Sequence, residues 1–159
     1  MAGVNIWIDA DACPRAVKEI VFRASARLGV SVILAANTPL QVPDSPLIRT
    51  VCVEKGFDMA DDYIVQSAAP GDIVITADVP LAAAVVEKGA VAIDPRGDLY
   101  TVDTIGERLP YRNLMMDLRE QGMIGGGGPP PFSRVDRGRF ASAFDALLTR
   151  QIRGREKKG

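Results

Sequence analysis

Asp9 and Asp11 lie in the stretch Ile6-Trp7-Ile8-Asp9-Ala10-Asp11-Ala12-Cys13-Pro14, and Asp78 lies in Val74-Ile75-Thr76-Ala77-Asp78-Val79-Pro80. Each stretch is a short apolar run that ends in carboxylate and passes into a proline suited to the first turn of a helix. If the two runs are neighbouring strands, about 4.8 Å apart, their carboxylates converge. Like charges held that close repel, so one must take a proton or a cation must bind. An Asp after a strand also reads as the cap of the next helix; two such strand ends together favour a site. The chain has no histidine and only two cysteines, Cys13 and Cys52. That removes Ser-His and Cys-His catalysis and any zinc cage of imidazoles and thiolates. A cation here would be held by oxygen, which favours magnesium, manganese or calcium; magnesium takes its ligands at about 2.1 Å and keeps several waters.

Other residues could serve such a centre. Asp58, Asp61 and Asp62 share one helix face and could add a ligand, although an acidic first turn also suits the helix dipole. Asn37 ends a strand beside the proposed cluster, and Lys18 lies two turns into the helix that follows Asp11. Thr76 could orient Asp78 or a water. Arg96, Arg112 and Arg119 could hold a phosphate. These four kinds of substrate contact, Lys18, Asn37, Thr76 and the arginines, are each weak alone. Cys13 has no base beside it and reads as a small packing residue.

The elements that must position these groups follow from hydrophobic patterning. Strands are expected over 4–8, 30–36, 47–53, 72–76 and 90–93. Val17, Ile20, Val21, Ala24 and Leu28 mark a helix closed by Gly29. Further helices are expected over 58–67, 81–88 and 111–121. The last runs over 134–152, with Phe140, Phe144, Leu147 and Leu148 on one face. Strands alternating with helices argue for a single-domain, three-layer α/β/α fold with a mostly parallel five-stranded sheet. An order of 3-2-1-4-5 sets strands one and four side by side, with their carboxyl ends at the switch point where such sheets bind ligands. The segment between strands two and three is short for a helical crossover. The main domain covers 1–122, followed by a Gly/Pro-rich loop over 123–133, the final helix packing on the same domain, and a basic, frayed tail over 153–159.

The net charge is −1, so no global basic field points to nucleic acid. No signal peptide and no membrane-spanning run is visible, and two distant cysteines make no disulfide framework. The expected compartment is the cytoplasm, with both thiols reduced.

Beyond these patterns, Ile8-Asp9-Ala10-Asp11-Ala12-Cys13-Pro14 with Val17-Lys18-Glu19-Ile20 resembles the opening of the uncharacterised bacterial YaiI/YqxD family. Asp58-Met59-Ala60-Asp61-Asp62, the run Gly71 to Ala82, Lys88-Gly89, Pro95-Arg96-Gly97 and Pro131-Phe132-Ser133 with Asp136 and Phe140 are similar to its later motifs. The resemblance covers nearly the whole chain. The family is grouped with PIN-like nuclease domains, which implies a PIN-like fold and a magnesium- or manganese-dependent acidic site. By position, Asp9 and Asp78 match the acids at the ends of strands one and four, and Asp61 or Asp58 the helical acid. Asp11 goes with the family's own motif, as a ligand or a group that orients water. The implied activity is a phosphodiesterase acting on RNA. Two other expectations stand beside it: a small-molecule phosphatase or nucleotide hydrolase with Asp9 as nucleophile and Asp11 as acid/base, and a non-catalytic RNA- or protein-binding module that relies on the basic tail.

Overall fold

The computed structural model describes residues 3–54, 59–107, 110, 118 and 131–158. The strands are β1 (Asn5–Asp9), β2 (Ser31–Ala36), β3 (Ile48–Cys52), β4 (Ile73–Ile75), β5 (Val91–Ile93) and β6 (Leu99–Tyr100). The helices are α1 (Arg15–Leu28), α2 (Met59–Ser67), α3 (Val79–Glu87), a short α4 over residues 102–107, and α5 (Arg134–Lys158). One sheet contains all six strands in the order β3-β2-β1-β4-β5-β6. Pairing is parallel up to β5, and β6 is antiparallel to β5.

The expected sheet therefore gains a sixth strand. Leu99–Tyr100 follows the turn over 94–97 and pairs with Ala92 and Ile93. Two residues are too few to display a period of two, so periodicity gave no sign of it. The expected helix over 111–121 and most of the Gly/Pro-rich loop lie outside the described residues.

Side chains alternate across the strands and build two cores. Ile6, Ile8, Val32, Leu34, Ile73, Ile75 and Ile93 face one side, where they meet Val17 and Val21 of α1 and Phe140, Phe144, Leu147 and Leu148 of α5. Trp7, Ile33, Ala35, Val74 and Ala92 face the other, beneath Ile64 of α2 and Leu81, Ala82 and Val85 of α3. Strands covered on both faces need no polar alternation, which is why they read as continuous apolar runs. Between β2 and β3 there is no helix. The loop instead packs Leu40 and Val42 against the α1-side core, the place a crossover helix would take.

The C-terminal helix is longer than its apolar face announces. Residues 153–158, expected to fray, continue α5. Gln151 Nε2 donates to the Gly71 carbonyl at 3.0 Å, and Arg155 donates to the Pro70 carbonyl. At the other end of α5, Gly97 sits with φ 96° so close to the helix backbone that a Cβ would meet the Arg139 carbonyl at 2.8 Å. There Arg96 Nη1 donates to Asp136 Oδ2 at 2.7 Å, and the Ser133 N–H donates to the same oxygen at 3.0 Å. The Ser133 backbone bond, the Ser133 hydroxyl, Arg96 and Arg139 hold the Asp136 carboxyl below its ordinary value, against an opposing effect of burial. No helix among the described residues is long and apolar enough to cross a membrane, and both cysteines are free.

Candidate functional site

β1 and β4 lie side by side with Ile8 opposite Ile75. The next residue on each chain is polar, Asp9 on one and Thr76 on the other. By alternation both point to the α2/α3 side, the side that Trp7 and Val74 also face. Thr76 is fully buried and joins the two acids. Its Oγ1 donates to Asp9 Oδ2 at 3.1 Å and accepts from the Asp78 N–H at 2.9 Å. The Thr76 carbonyl in turn accepts from the buried Tyr100 hydroxyl at 3.1 Å. Asp78 caps α3, its Oδ1 accepting from the Leu81 N–H at 2.9 Å. The cap reading of Asp78 thus holds through Oδ1. Asp9 Oδ1 and Asp78 Oδ2 carry no hydrogen bond among the described residues.

Asp11 takes a separate place. It is exposed, in the 3-10 turn Ala10–Ala12, and its two oxygens accept from the Asn37 N–H at 3.1 and 3.0 Å. Asn37 Oδ1 is buried, with no hydrogen-bond partner among the described residues. Asp61 lies in the first turn of α2 and is itself engaged. Asp58, Arg112 and Arg119 lie outside the described residues. Among the described residues, no group of three or more His, Cys, Asp or Glu side chains is gathered as a metal cage. The pair Asp9 and Asp78 is what remains, each with a free oxygen. Magnesium is commonly held by one or two carboxylates plus waters and substrate phosphate, so this donor set fits a hard cation without a complete protein cage.

The electrostatics agree with that fit. Burial pushes the Asp9 carboxyl above its ordinary value, the Thr76 hydrogen bond pulls it back, and the charges of Asp78 and Asp11 push it up again. An acid whose pKa is higher folded than unfolded lends stability at pH below its ordinary value, and that stability is lost as pH rises through the folded-state pKa. The ionised Asp9 therefore works against folding at neutral pH. Asp9→Asn is expected to raise the urea midpoint at about pH 7.5, with the gain shrinking toward about pH 4. Paired denaturation curves at the two pH values check this.

The other expected residues fall on either side. Lys18, on α1, has no ion-pair partner among the described residues, and its charge acts on the Cys13 thiol. Arg96 is committed to Asp136, and its backbone N–H donates to Asp94 Oδ1 at 2.8 Å. Cys13 is buried, and burial pushes its thiol up to about 12, with Lys18 drawing it down and Asp9, by less, pushing it up. Cys52 is exposed. Iodoacetamide at pH 8 is expected to label Cys52 in the folded protein and to reach Cys13 only after denaturation, as peptide mass mapping will read.

Tyr100 and Asp94 were not found by sequence reasoning. Tyr100 supports the site through the Thr76 carbonyl, and Asp94 is buried in the turn beside it. The Asp94-Pro95-Arg96-Gly97 turn was the available signal for Asp94; nothing local marked Tyr100.

A family model described as "Uncharacterized BCR, YaiI/YqxD family" matches residues 7–150. Among curated relatives, a UPF0178 protein of Geobacter sulfurreducens is 62% identical over 150 residues, covering 94% of this chain and 99% of the relative. One from Trichlorobacter lovleyi is 56% identical over 155 residues, covering 98% and 100%. One from Photobacterium profundum is 50% identical over 150 residues, covering 94% and 99%. No solved structure matches the chain.

Proposed function

The chain belongs to the YaiI/YqxD family, and from that membership and its acidic sheet edge we propose a magnesium- or manganese-dependent phosphodiesterase of PIN-like type that acts on RNA. One observation carries the reading: Thr76 ties the Asp9 carboxylate to the Asp78 backbone at adjacent strand ends, and each acid keeps one oxygen without a hydrogen bond among the described residues. Keeping the half-buried Asp9 carboxylate beside the like charge of Asp78 is costly unless a cation uses the pair. The location adds to it, since the cluster lies beyond the carboxyl ends of parallel strands on both sides of β1, where open α/β sheets bind ligands.

Asp9 and Asp78 would hold the cation, and Asn37 Oδ1, on the neighbouring strand end, is a buried acceptor without a partner among the described residues. When bound, the cation supplies Lewis-acid stabilisation of the charge that develops on the phosphoryl oxygens. The chain's own residues do the rest. Thr76 fixes the rotamer of Asp9, and Tyr100 fixes the peptide that carries Thr76. The α3 cap keeps Asp78 from swinging away. Asp11, held by Asn37, keeps negative charge at the rim and discourages anions from entering without a cation.

The test uses the full chain with manganese, magnesium or EDTA against single-stranded RNA and, in parallel, against small phosphate esters. Cleavage of RNA that needs the metal, with the esters untouched, is the expected result. Turnover of the esters, with a phosphoryl analogue trapped on Asp9, would establish the phosphatase reading instead. RNA binding without cleavage under any metal, with no loss on Asp9→Asn, would leave a binding module.

A further inference from the structure

A groove of about 580 Å³ runs between α1 and the β2–β3 loop. Its volume lies in the range of small-molecule sites. Arg15 and Lys18 of α1 form one side, and Leu40, Gln41, Val42 and Pro43 form the other. The loop wall begins at Pro39, two residues after Asn37, whose N–H holds Asp11. Groove wall and acidic edge are thus neighbours along the loop, and the charges of Lys18 and Asp9 both reach Cys13 between them.

The charges in the groove are unequal in availability. Arg15 is satisfied by Glu19 at 3.6 Å, one turn on. Lys18 is half-buried, and among the described residues it has no hydrogen bond or ion pair. A lysine without a protein partner at the wall of a groove is available to an anion that enters it. Opposite it stand aliphatic and proline side chains, which offer an apolar face rather than a second charge. One cation facing an apolar wall matches one nucleotide, a phosphate on one side and a base on the other. It does not match a duplex, whose bases are already stacked.

We propose that this groove seats a nucleotide of a single RNA strand next to the one at the Asp9–Asp78 edge, with Lys18 on its phosphate and the Leu40–Pro43 wall against its base. The proposal rests on the phosphodiesterase reading for its choice of ligand. Lys18 puts a positive charge on the α1 side of the edge, where it acts on Cys13, so a strand crossing the edge meets attraction on that side. Gln41 is exposed at the groove wall, so a charge introduced there changes binding without disturbing the core.

Fluorescence anisotropy of a short labelled oligouridylate, measured in EDTA so that the strand stays intact, tests the seat independently of cleavage. Lys18→Gln is expected to weaken binding about fivefold and to reduce the slope of log affinity against log salt by about 0.7, the value for one phosphate contact on a single strand. Gln41→Glu is expected to weaken binding similarly. Arg150→Gln, on the exposed face of α5, is the control and is expected to bind as the wild type does. Thermal melts confirm that all three variants are folded. Unchanged binding in both groove variants, a loss confined to Arg150→Gln, or no binding by the wild type would each overturn the proposal. The same variants assayed with manganese separate the two readings. Cleavage by the wild type that Lys18→Gln leaves unaltered in KM removes the groove and keeps the enzyme. Binding that depends on Lys18 in a protein that never cleaves removes the enzyme and keeps the groove.

Discussion

Asp9→Asn is expected to lower manganese-dependent RNA cleavage by roughly 10²–10³-fold, because a ligated cation is worth several kcal/mol of charge stabilisation and each 1.36 kcal/mol is tenfold in rate. The loss should fall on kcat more than on KM, since the strand is gripped elsewhere and the charge appears only as the bond breaks. Asp78→Asn is expected to do about the same, and the double variant little more, because two groups holding one ion fail together. Thr76→Val sharpens the argument. It keeps the shape of a fully buried side chain and removes only the hydroxyl that bonds Asp9 and receives the Asp78 N–H. A partner that orients a ligand typically accounts for about 10–100-fold, and that is the expected loss. Single-turnover rates on the wild type and the four variants, with calorimetric titration of manganese beside them, measure all of it. A Thr76→Val enzyme as fast as the wild type would mean that Asp9 needs no holding.

Asp72→Ala is expected to destabilise the fold by about 3 kcal/mol. Asp72 is 1% exposed at the start of β4, on the edge of the sheet opposite the site. Its Oδ2 accepts from the Trp7 indole N–H and the Ala69 N–H, both at 3.0 Å, and its Oδ1 accepts from the Asn5 N–H at 3.2 Å. Arg155 Nη2 lies 3.7 Å from Oδ1. Removing the carboxylate strands a buried indole donor and two backbone donors at once, and buried donors without acceptors are what make single substitutions severe. Asn is not a remedy. Whichever way its amide is turned, an NH₂ faces donors, since both oxygens of Asp72 act only as acceptors. Asp72→Asn should therefore also destabilise, although it preserves size. Urea denaturation followed by Trp7 fluorescence reads both variants, and the indole itself reports the lost bond. A loss well under 1 kcal/mol would show that water replaces the carboxylate.

Most of the sheet was legible because its strands are buried on both faces and are spelled in Ile, Val, Leu and Ala. The adjacency of β1 and β4 followed from the handedness of crossovers, and with it the meeting of Asp9 and Asp78. What stayed hidden depends on partners distant in the chain. Nothing near Thr76 announces that its hydroxyl serves Asp9, 67 positions away. Arg96 read as a phosphate ligand because its partner Asp136 stands 40 positions on. The final turns of α5 read as a loose tail because their hold on the Pro70–Asp72 turn is made by Arg155 and Gln151, through polar tips rather than an apolar stripe. Asp11 shows the converse. Its spacing from Asp9 suggested a shared ion, yet the 3-10 turn between them carries its carboxylate to the Asn37 backbone.

The hold of α5 on both edges of the sheet has a consequence for how the protein is made. Phe140, Phe144, Leu147 and Leu148 supply the layer that covers Ile6, Ile8, Ile73 and Ile75, and they are the last apolar residues of the core to be synthesised. Until they leave the ribosome, the part of that side of the sheet that α1 and the β2–β3 loop leave uncovered is bare aliphatic surface. Pairing of β1 with β4 also waits for a long intervening segment, and closing such loops late is what slows folding and lengthens exposure to other nascent chains. Stalling translation just before residue 134 should leave a chain that chaperones retain, and release of the last helix should end that retention.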